Sequence, residues 1–170
     1  MKNVYLVGFM GTGKTVVGKL LADELGREFI EMDALIEKEQ KKSISRIFAE
    51  EGEAYFRGLE HKLLKNLSLK SDLIVSCGGG LVCNPANLAL LKKSGVLICL
   101  SASAEEISQR TKKHTSRPLL NVNNRIEKIK ELLEKRKSCY DQADYKVDTD
   151  KLQPGEVASK IEEILGKNNA

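Results

Sequence analysis

Short apolar runs and longer amphipathic stretches alternate along the chain from its first residues. "NVYLV" (3–7) is a β-branched run closed by Gly8, which predicts a buried strand. From 14 to 25, Val17, Leu20, Leu21 and Leu25 share one helical face, and Gly26 supplies a stop. "EFIEM" (28–32) predicts a second strand, followed by helical pieces in "DALIEKEQ" and "ISRIFAEEG". A longer helix is expected over 53–69, where Phe56, Leu59, Leu63 and Leu67 recur at helical spacing. "DLIVSC" (72–77) predicts the third strand and runs into "GGG". Asn84-Pro85 opens a helix as cap and first-turn residue, with Gly95 closing it. "VLICL" (96–100) is the fourth strand, and Ser103 with Glu106 forms a capping box for the next helix. A helix over 125–142, the strand "YKVD" (145–148) and a last helix begun by Pro154 complete the pattern.

Strands that alternate with helices imply an α/β fold with a parallel sheet covered by helices on both faces. The pattern contains no repeat and no composition break, so 1–170 is expected to form a single domain. "KKHTSRPLLNVNN" (112–124) is polar, lacks a period and is long for a connection, which predicts a mobile lid.

Charge and composition narrow the function classes. The 28 basic and 24 acidic residues are interspersed along helical segments such as "EKIKELLEKRK", a pattern of solvated faces rather than a nucleic-acid stripe. No apolar run approaches the roughly 18 residues of a membrane span. The N-terminus enters a strand at once, leaving no room for a targeting peptide. Cys77, Cys83, Cys99 and Cys139 show no C-x-x-C pairing and are expected to be free thiols. These features describe a cytoplasmic monomer whose partners are small molecules.

"GFMGTGKT" (8–15) lies between the first strand and the first helix and fits G-x-x-x-x-G-K-[ST]. In such a loop the glycines let backbone N–H groups turn inward onto phosphates, and the helix N-terminus adds its dipole. Gly11, Thr12, Gly13, Lys14, Thr15 and Val16 are therefore candidate ATP contacts. Lys14 would reach the β- and γ-phosphates, and the Thr15 hydroxyl would ligate Mg²⁺. The guanine-reading Asn/Thr-Lys-x-Asp of signalling GTPases is absent. The third and fourth strands also lack the terminal Asp that many ATPase motors use for the metal. Small size and a flexible basic segment point to a small-molecule kinase, in which a lid excludes water.

Candidate acceptor groups fall outside the carboxyl ends of the strands. "EMD" is expected to end the second strand with Glu31 and Asp33 on one face of an extended chain. There a carboxylate could take a hydroxyl proton or hold a metal-bound water, or Asp33 could simply cap the next helix. Three glycines at 78–80 suit close backbone approach to a ligand, with a plain turn as the alternative. Arg136 shares the spacing of Ile126, Ile129, Leu133 and Tyr140, so a cation sits on a core-facing stripe and must snorkel or meet an anion. Arg57, with Glu60 one turn on, reads by itself as an exposed helical ion pair. Carboxylates and arginines together suggest an acceptor with hydroxyls and a carboxylate. His61 and His114 receive no role.

"GFMGTGKT", "EMD", "IFAEEGEAYFRGLE", "SCGGGLV", "RPLL" and "RKSCYDQAD", in this order, resemble the shikimate kinase family over nearly the whole chain. The resemblance implies the nucleoside-monophosphate-kinase type of P-loop three-layer sandwich, with five strands in the order 2-3-1-4-5. It implies ATP-dependent phosphorylation of the shikimate 3-hydroxyl with Mg²⁺, in the pathway to chorismate and the aromatic amino acids. Asp33 would bind the hydroxyl as base or orienter, Arg57 and Arg136 would grip the carboxylate, and Glu60, which orients Arg57, would count among the substrate-binding residues. Gly79 and Gly80 would contact ring hydroxyls, while Phe48 and Phe56 would wall the pocket. Arg117 in "RPLL" would stabilise charge on the moving phosphoryl group, and Arg110, Gln153 and Pro154 would flank the adenine. The family usually shows Asp-x-Asp where this chain has Glu31-Met32-Asp33; the first acid of that pair is thought to reach Mg²⁺ through water, and Glu31 stands in its place with one methylene more. Lys151 and Leu152 stand where some relatives carry arginine.

Three rivals share part of this pattern. A gluconate-type kinase would share the P-loop and the acceptor carboxylate, but lacks the "FR-x-x-E" and "GGG" pair. A nucleotide kinase would need a base-reading pocket, and a regulatory nucleotide-binding module would need no base at Asp33.

Overall fold

The computed structural model describes residues 1–112 and 124–167. His114, Arg117 and most of the expected lid therefore lie outside the described residues.

Chain order runs β1 (Asn3–Val7), α1 (Lys14–Leu25), β2 (Glu28–Glu31), α2 (Met32–Gln40), α3 (Ile44–Leu67) and β3 (Leu73–Ser76). A 3₁₀ turn (Leu81–Cys83) leads to α4 (Pro85–Ser94), β4 (Gly95–Ser101), α5 (Ala104–Thr111), α6 (Arg125–Tyr140), β5 (Tyr145–Asp148) and α7 (Pro154–Lys167). The five strands form one sheet in the order β2-β3-β1-β4-β5, and every pairing is parallel. This is the α/β sandwich with the strand order that the family resemblance implies.

Alternation along the strands builds a core on each face. Tyr5, Val7, Val75, Leu97 and Cys99 join one buried cluster with α2, α3 and α4. Val4, Leu6, Ile74, Ile98 and Leu100 join the other, under α1 and α7. Burying both faces explains why β1 and β3 read as unbroken apolar runs.

Several local expectations change. The two helical pieces expected at 44–52 and 53–69 are continuous except at Gly52, whose φ of 84° and ψ of 169° break the turn, and the second ends at Leu67. Gly95 follows α4 but is extended rather than left-handed, and it opens β4 opposite Asn3. A side chain there would lie 2.4 Å from the Asn3 carbonyl and 2.6 Å from the Tyr5 ring, so close strand packing requires the glycine. The capping box at Ser103 is half made. Ser103 Oγ accepts from Glu106 N–H, but Ser103 N–H donates to Asp150, and Glu106 pairs with Arg110 instead. Asn84 caps α4 as expected, its side chain accepting from Ala86 and Asn87.

Among the described residues no helix is long and apolar enough to cross a membrane.

Candidate active site

The loop between β1 and α1 takes its shape from glycines. Gly8 has φ 136°, and a Cβ there would lie 2.2 Å from the Leu100 carbonyl oxygen, so only glycine lets the chain leave β1 beside β4. Gly13, with φ 95°, is the N-cap of α1. Lys14 Nζ donates to the Gly8 and Phe9 carbonyls at 2.9 and 3.0 Å, curling over its own loop. Thr15 and Val16 are exposed in the first turn of α1, and Gly11 sits against Thr111. Thr12 turns inward, its hydroxyl donating to the Phe9 carbonyl at 2.8 Å.

Glu31 and Asp33 do not share an extended strand as expected. β2 ends at Glu31, the N-cap of α2, because Met32 is fully buried and already begins the helix. Asp33 thus sits in the first turn of α2 rather than capping it. Glu31 Oε1 accepts from the Ser76 hydroxyl at 2.9 Å. Among the described residues, Glu31 Oε2 and Asp33 Oδ1 are buried with no hydrogen-bond partner. Burial above all, and then the Glu31 charge, holds the Asp33 carboxyl above its ordinary value, with Lys14 pulling the other way.

The three glycines after β3 each admit a different side chain against the backbone. A Cβ at Gly78 would lie 2.4 Å from Glu60 Oε1 and 3.1 Å from Asp33 Oδ1. One at Gly79 would lie 3.3 Å from both an Arg136 nitrogen and the Gly8 carbonyl oxygen. At Gly80 the neighbours are the two terminal Arg57 nitrogens, at 2.9 and 3.0 Å.

Arg57 does not form the plain exposed ion pair that its helix suggests. It bonds the exposed Glu53, and at 2.6 Å it also bonds Glu60, which is only 1% exposed. Burial raises the Glu60 carboxyl, and the Arg57 guanidinium opposes that shift. Arg136 is half-buried and lies 5.6 Å from the Phe9 ring centroid. Among the described residues it has no carboxylate at ion-pair distance. The stripe it was assigned to is incomplete, since Ile129 and Tyr140 are buried while Ile126 is 40% exposed. Phe56 is buried, and its ring lies 4.9 Å from that of the half-exposed Phe48, beside Arg57.

Arg110 bonds Glu106 at 2.8 Å and the Thr149 hydroxyl and carbonyl at 2.9 and 2.8 Å. That brace draws the end of α5 towards the loop that leads through Gln153 to Pro154 at the start of α7, where Gln153 N–H donates to Glu156. His61 Nδ1 meets Asn87 Oδ1 at 2.7 Å, an interhelical contact. Beyond Phe9 and Thr12 a neighbouring cavity of about 460 Å³ runs between β4, α5 and α6.

Three residues of this arrangement were given no part in the site by sequence reasoning: Ser76, Tyr140 and Thr149. Ser76 occupies the strand end searched for an aspartate, so a polar residue there was the available signal. Thr149 gave none.

The fold and its glycine-lined cleft define a P-loop phosphotransferase of the small-molecule kinase class. The family model described as "Shikimate kinase" matches residues 10–166. A shikimate kinase of Thermodesulfovibrio yellowstonii is 49% identical over 95% of this chain and 93% of its own length. A shikimate kinase of Acinetobacter baumannii, solved in complex with shikimate, superposes with a TM-score of 0.93 at 38% identity, covering 99% of this chain and 94% of that one. The chain belongs to the shikimate kinase family. A gluconokinase of Sinorhizobium meliloti, at 18% identity and a TM-score of 0.62 over 99% of this chain and 98% of that one, shares the fold alone.

Proposed function

We propose that the protein transfers the γ-phosphoryl group of ATP to the 3-hydroxyl of shikimate, giving shikimate 3-phosphate and ADP on the way to chorismate and the aromatic amino acids. One observation carries the reading. A buried carboxylate oxygen without a partner, on Asp33, lies beside a glycine strip against which Arg57 and Arg136 are packed. A hydroxyl donor satisfies the first, and a carboxylate suits the two guanidinium groups.

Asp33 accepts the hydroxyl proton as the shikimate oxygen attacks the γ-phosphorus and the bond to the β-phosphate oxygen breaks. Burial raises the carboxyl above its ordinary value, which strengthens it as a base. Arg57, steadied by Glu60, and Arg136 hold the carboxylate; Gly79 and Gly80 face the ring hydroxyls, with Phe48 and Phe56 as walls. Lys14 exchanges its loop carbonyls for the β- and γ-phosphates. Gly11, Thr12, Gly13, Thr15 and Val16 complete the phosphate grip, and Arg110, Gln153 and Pro154 flank the adenine. Arg117 and the lid at 112–124 belong to the same reading, with the chain acting as one domain, a cytoplasmic monomer. Mg²⁺ fits the exposed Thr15 hydroxyl and, through water, the unpartnered Glu31 Oε2; when bound it would neutralise phosphate charge.

A coupled assay of ADP release over shikimate, gluconate and nucleoside monophosphates tests the reading. Turnover with shikimate alone is expected, and comparable turnover with gluconate or a nucleotide overturns it.

A further inference from the structure

Tyr140 stands at the meeting point of the acceptor groups without having been given a part in them. It ends α6, one turn after Arg136, and is 7% exposed. Its hydroxyl donates to the Gly79 carbonyl oxygen at 2.8 Å. A Cβ at Gly79 would lie 3.3 Å from an Arg136 nitrogen and 3.7 Å from the Tyr140 hydroxyl oxygen, so guanidinium and phenol meet over the same glycine. Guanidinium and phenol are therefore neighbours on Gly79, and the hydrogen bond to its carbonyl fixes the phenol there.

Arg136 needs such a brace. Arg57 is oriented by two carboxylates, Glu53 and Glu60, whereas no described carboxylate pairs with Arg136. A second carboxylate would hold the guanidinium in place but would also compete with the acceptor's own carboxylate. A neutral phenol oxygen beside the guanidinium can accept an N–H without cancelling the charge, so the other donors keep their anion-binding strength. The Phe9 ring beneath the guanidinium completes a holder with no negative charge. The phenol is suited to staying neutral, because burial pushes its ionisation up to about 12.

We infer that Tyr140 is a positioning residue for acceptor recognition, aiming the Arg136 guanidinium at the acceptor carboxylate and tying it to Gly79. The inference rests on the reading that Arg136 holds that carboxylate. A brace of this kind acts on an acid and hardly on its neutral amide. A phenol that merely stiffens the glycine strip would affect both alike.

Shikimate and its carboxamide analogue, titrated calorimetrically into wild type, Tyr140→Phe, Arg136→Ala and the double variant, separate the possibilities. Tyr140→Phe keeps the ring, and is expected to weaken shikimate binding roughly tenfold, the scale of one hydrogen bond to a charged group. Its effect on the carboxamide and on the KM for ATP should stay within about twofold. In the Arg136→Ala background, adding Tyr140→Phe should change shikimate affinity little, because the group it aims has gone. Equal losses for acid and amide, or full additivity in the double variant, overturn the inference. Normal shikimate binding by Arg136→Ala overturns the underlying reading instead. A weakened Arg136→Ala beside an unaffected Tyr140→Phe removes the role of Tyr140 alone.

Discussion

On the acceptor side Asp33, Glu60, Arg57 and Arg136 are packed against Gly78, Gly79 and Gly80, while Ser76 bonds the neighbouring Glu31 and Tyr140 bonds the Gly79 carbonyl. On the nucleotide side Lys14 is turned back onto the carbonyls of its own loop, and Thr15 and Val16 face solvent. One region keeps its charges in place through long-range contacts. The other satisfies its key cation locally, and must trade those bonds for phosphate. The contrast follows from chain distance. Acceptor groups come from α2, α3, β3 and α6 and can be aligned only by folding, whereas the phosphate grip is a continuous stretch whose geometry glycine already permits.

Asp33→Asn bears hardest on that contrast, because the amide can hydrogen-bond a hydroxyl but cannot take its proton. A fall in kcat of about 10²–10⁴ is expected with ATP affinity nearly unchanged, and a fall below tenfold would reduce Asp33 to orienting the hydroxyl. The pH profile adds a sign. The ionised carboxylate is the competent form, so activity is present above its pKa and lost as pH falls through it. Burial raises that pKa, so the acid limb of kcat/KM should lie above the ordinary aspartate value of 3.8, and Asp33→Asn should abolish that limb.

Next in size is Lys14→Ala. Without ligand the ammonium bonds the Gly8 and Phe9 carbonyls of its own loop, and Lys14 belongs to neither hydrophobic cluster, so the fold should survive its loss. With ATP it serves developing phosphate charge, and kcat should drop by about 10²–10³. An unchanged kcat would falsify the phosphate-grip assignment. A variant that fails to fold, judged by its thermal transition, would show the local bonds to matter more than the contrast allows.

Glu60→Gln tests the preassembled side directly. Glu60 is buried against Gly78 and bonded to Arg57 at 2.6 Å, so the isosteric amide keeps the packing but not the charge that orients the guanidinium. We expect the shikimate KM to rise by about fivefold, the worth of roughly 1 kcal/mol, with ATP KM unaffected. Arg57 is 34% exposed and keeps Glu53, which limits the effect. A larger change in ATP KM than in shikimate KM would place Glu60 outside the acceptor network.

How far these regions were legible in the sequence follows the same division. The phosphate loop, the strand runs and the Asn84 cap depend on neighbours a few residues away, and their patterns were readable. The strand order came with the family resemblance, since periodicity says nothing about which strands pair. Asp33 was singled out as an acceptor group, but its placement on an extended chain failed because Met32 is drawn into the core as the first residue of α2. "GGG" announced close approach without saying by what. The approaching side chains come from Glu60 and Arg57, some twenty residues earlier, and from Arg136, nearly sixty later. Arg57 misled in the opposite direction, because helical spacing reports a neighbour's position but not that Glu60 is buried beneath the glycine strip.

Arg110 gives the smallest and most discriminating test, since it lies on the nucleotide side yet is held as firmly as an acceptor residue. Its guanidinium spans Glu106, the Thr149 hydroxyl and the Thr149 carbonyl, joining the end of α5 to the loop before α7. If its part is to face the adenine, Arg110→Ala should raise the KM for ATP about three- to fivefold, the worth of roughly one net hydrogen bond or cation–π contact. Shikimate binding measured without nucleotide should stay the same. Thr149→Val removes the hydroxyl but leaves the guanidinium and the Thr149 carbonyl, so it loosens the brace while sparing the face that would meet the base. It should therefore cost less than twofold in ATP KM. Equal effects from the two variants would make Arg110 a structural strut, and the nucleotide side would then owe its affinity to the phosphate loop alone.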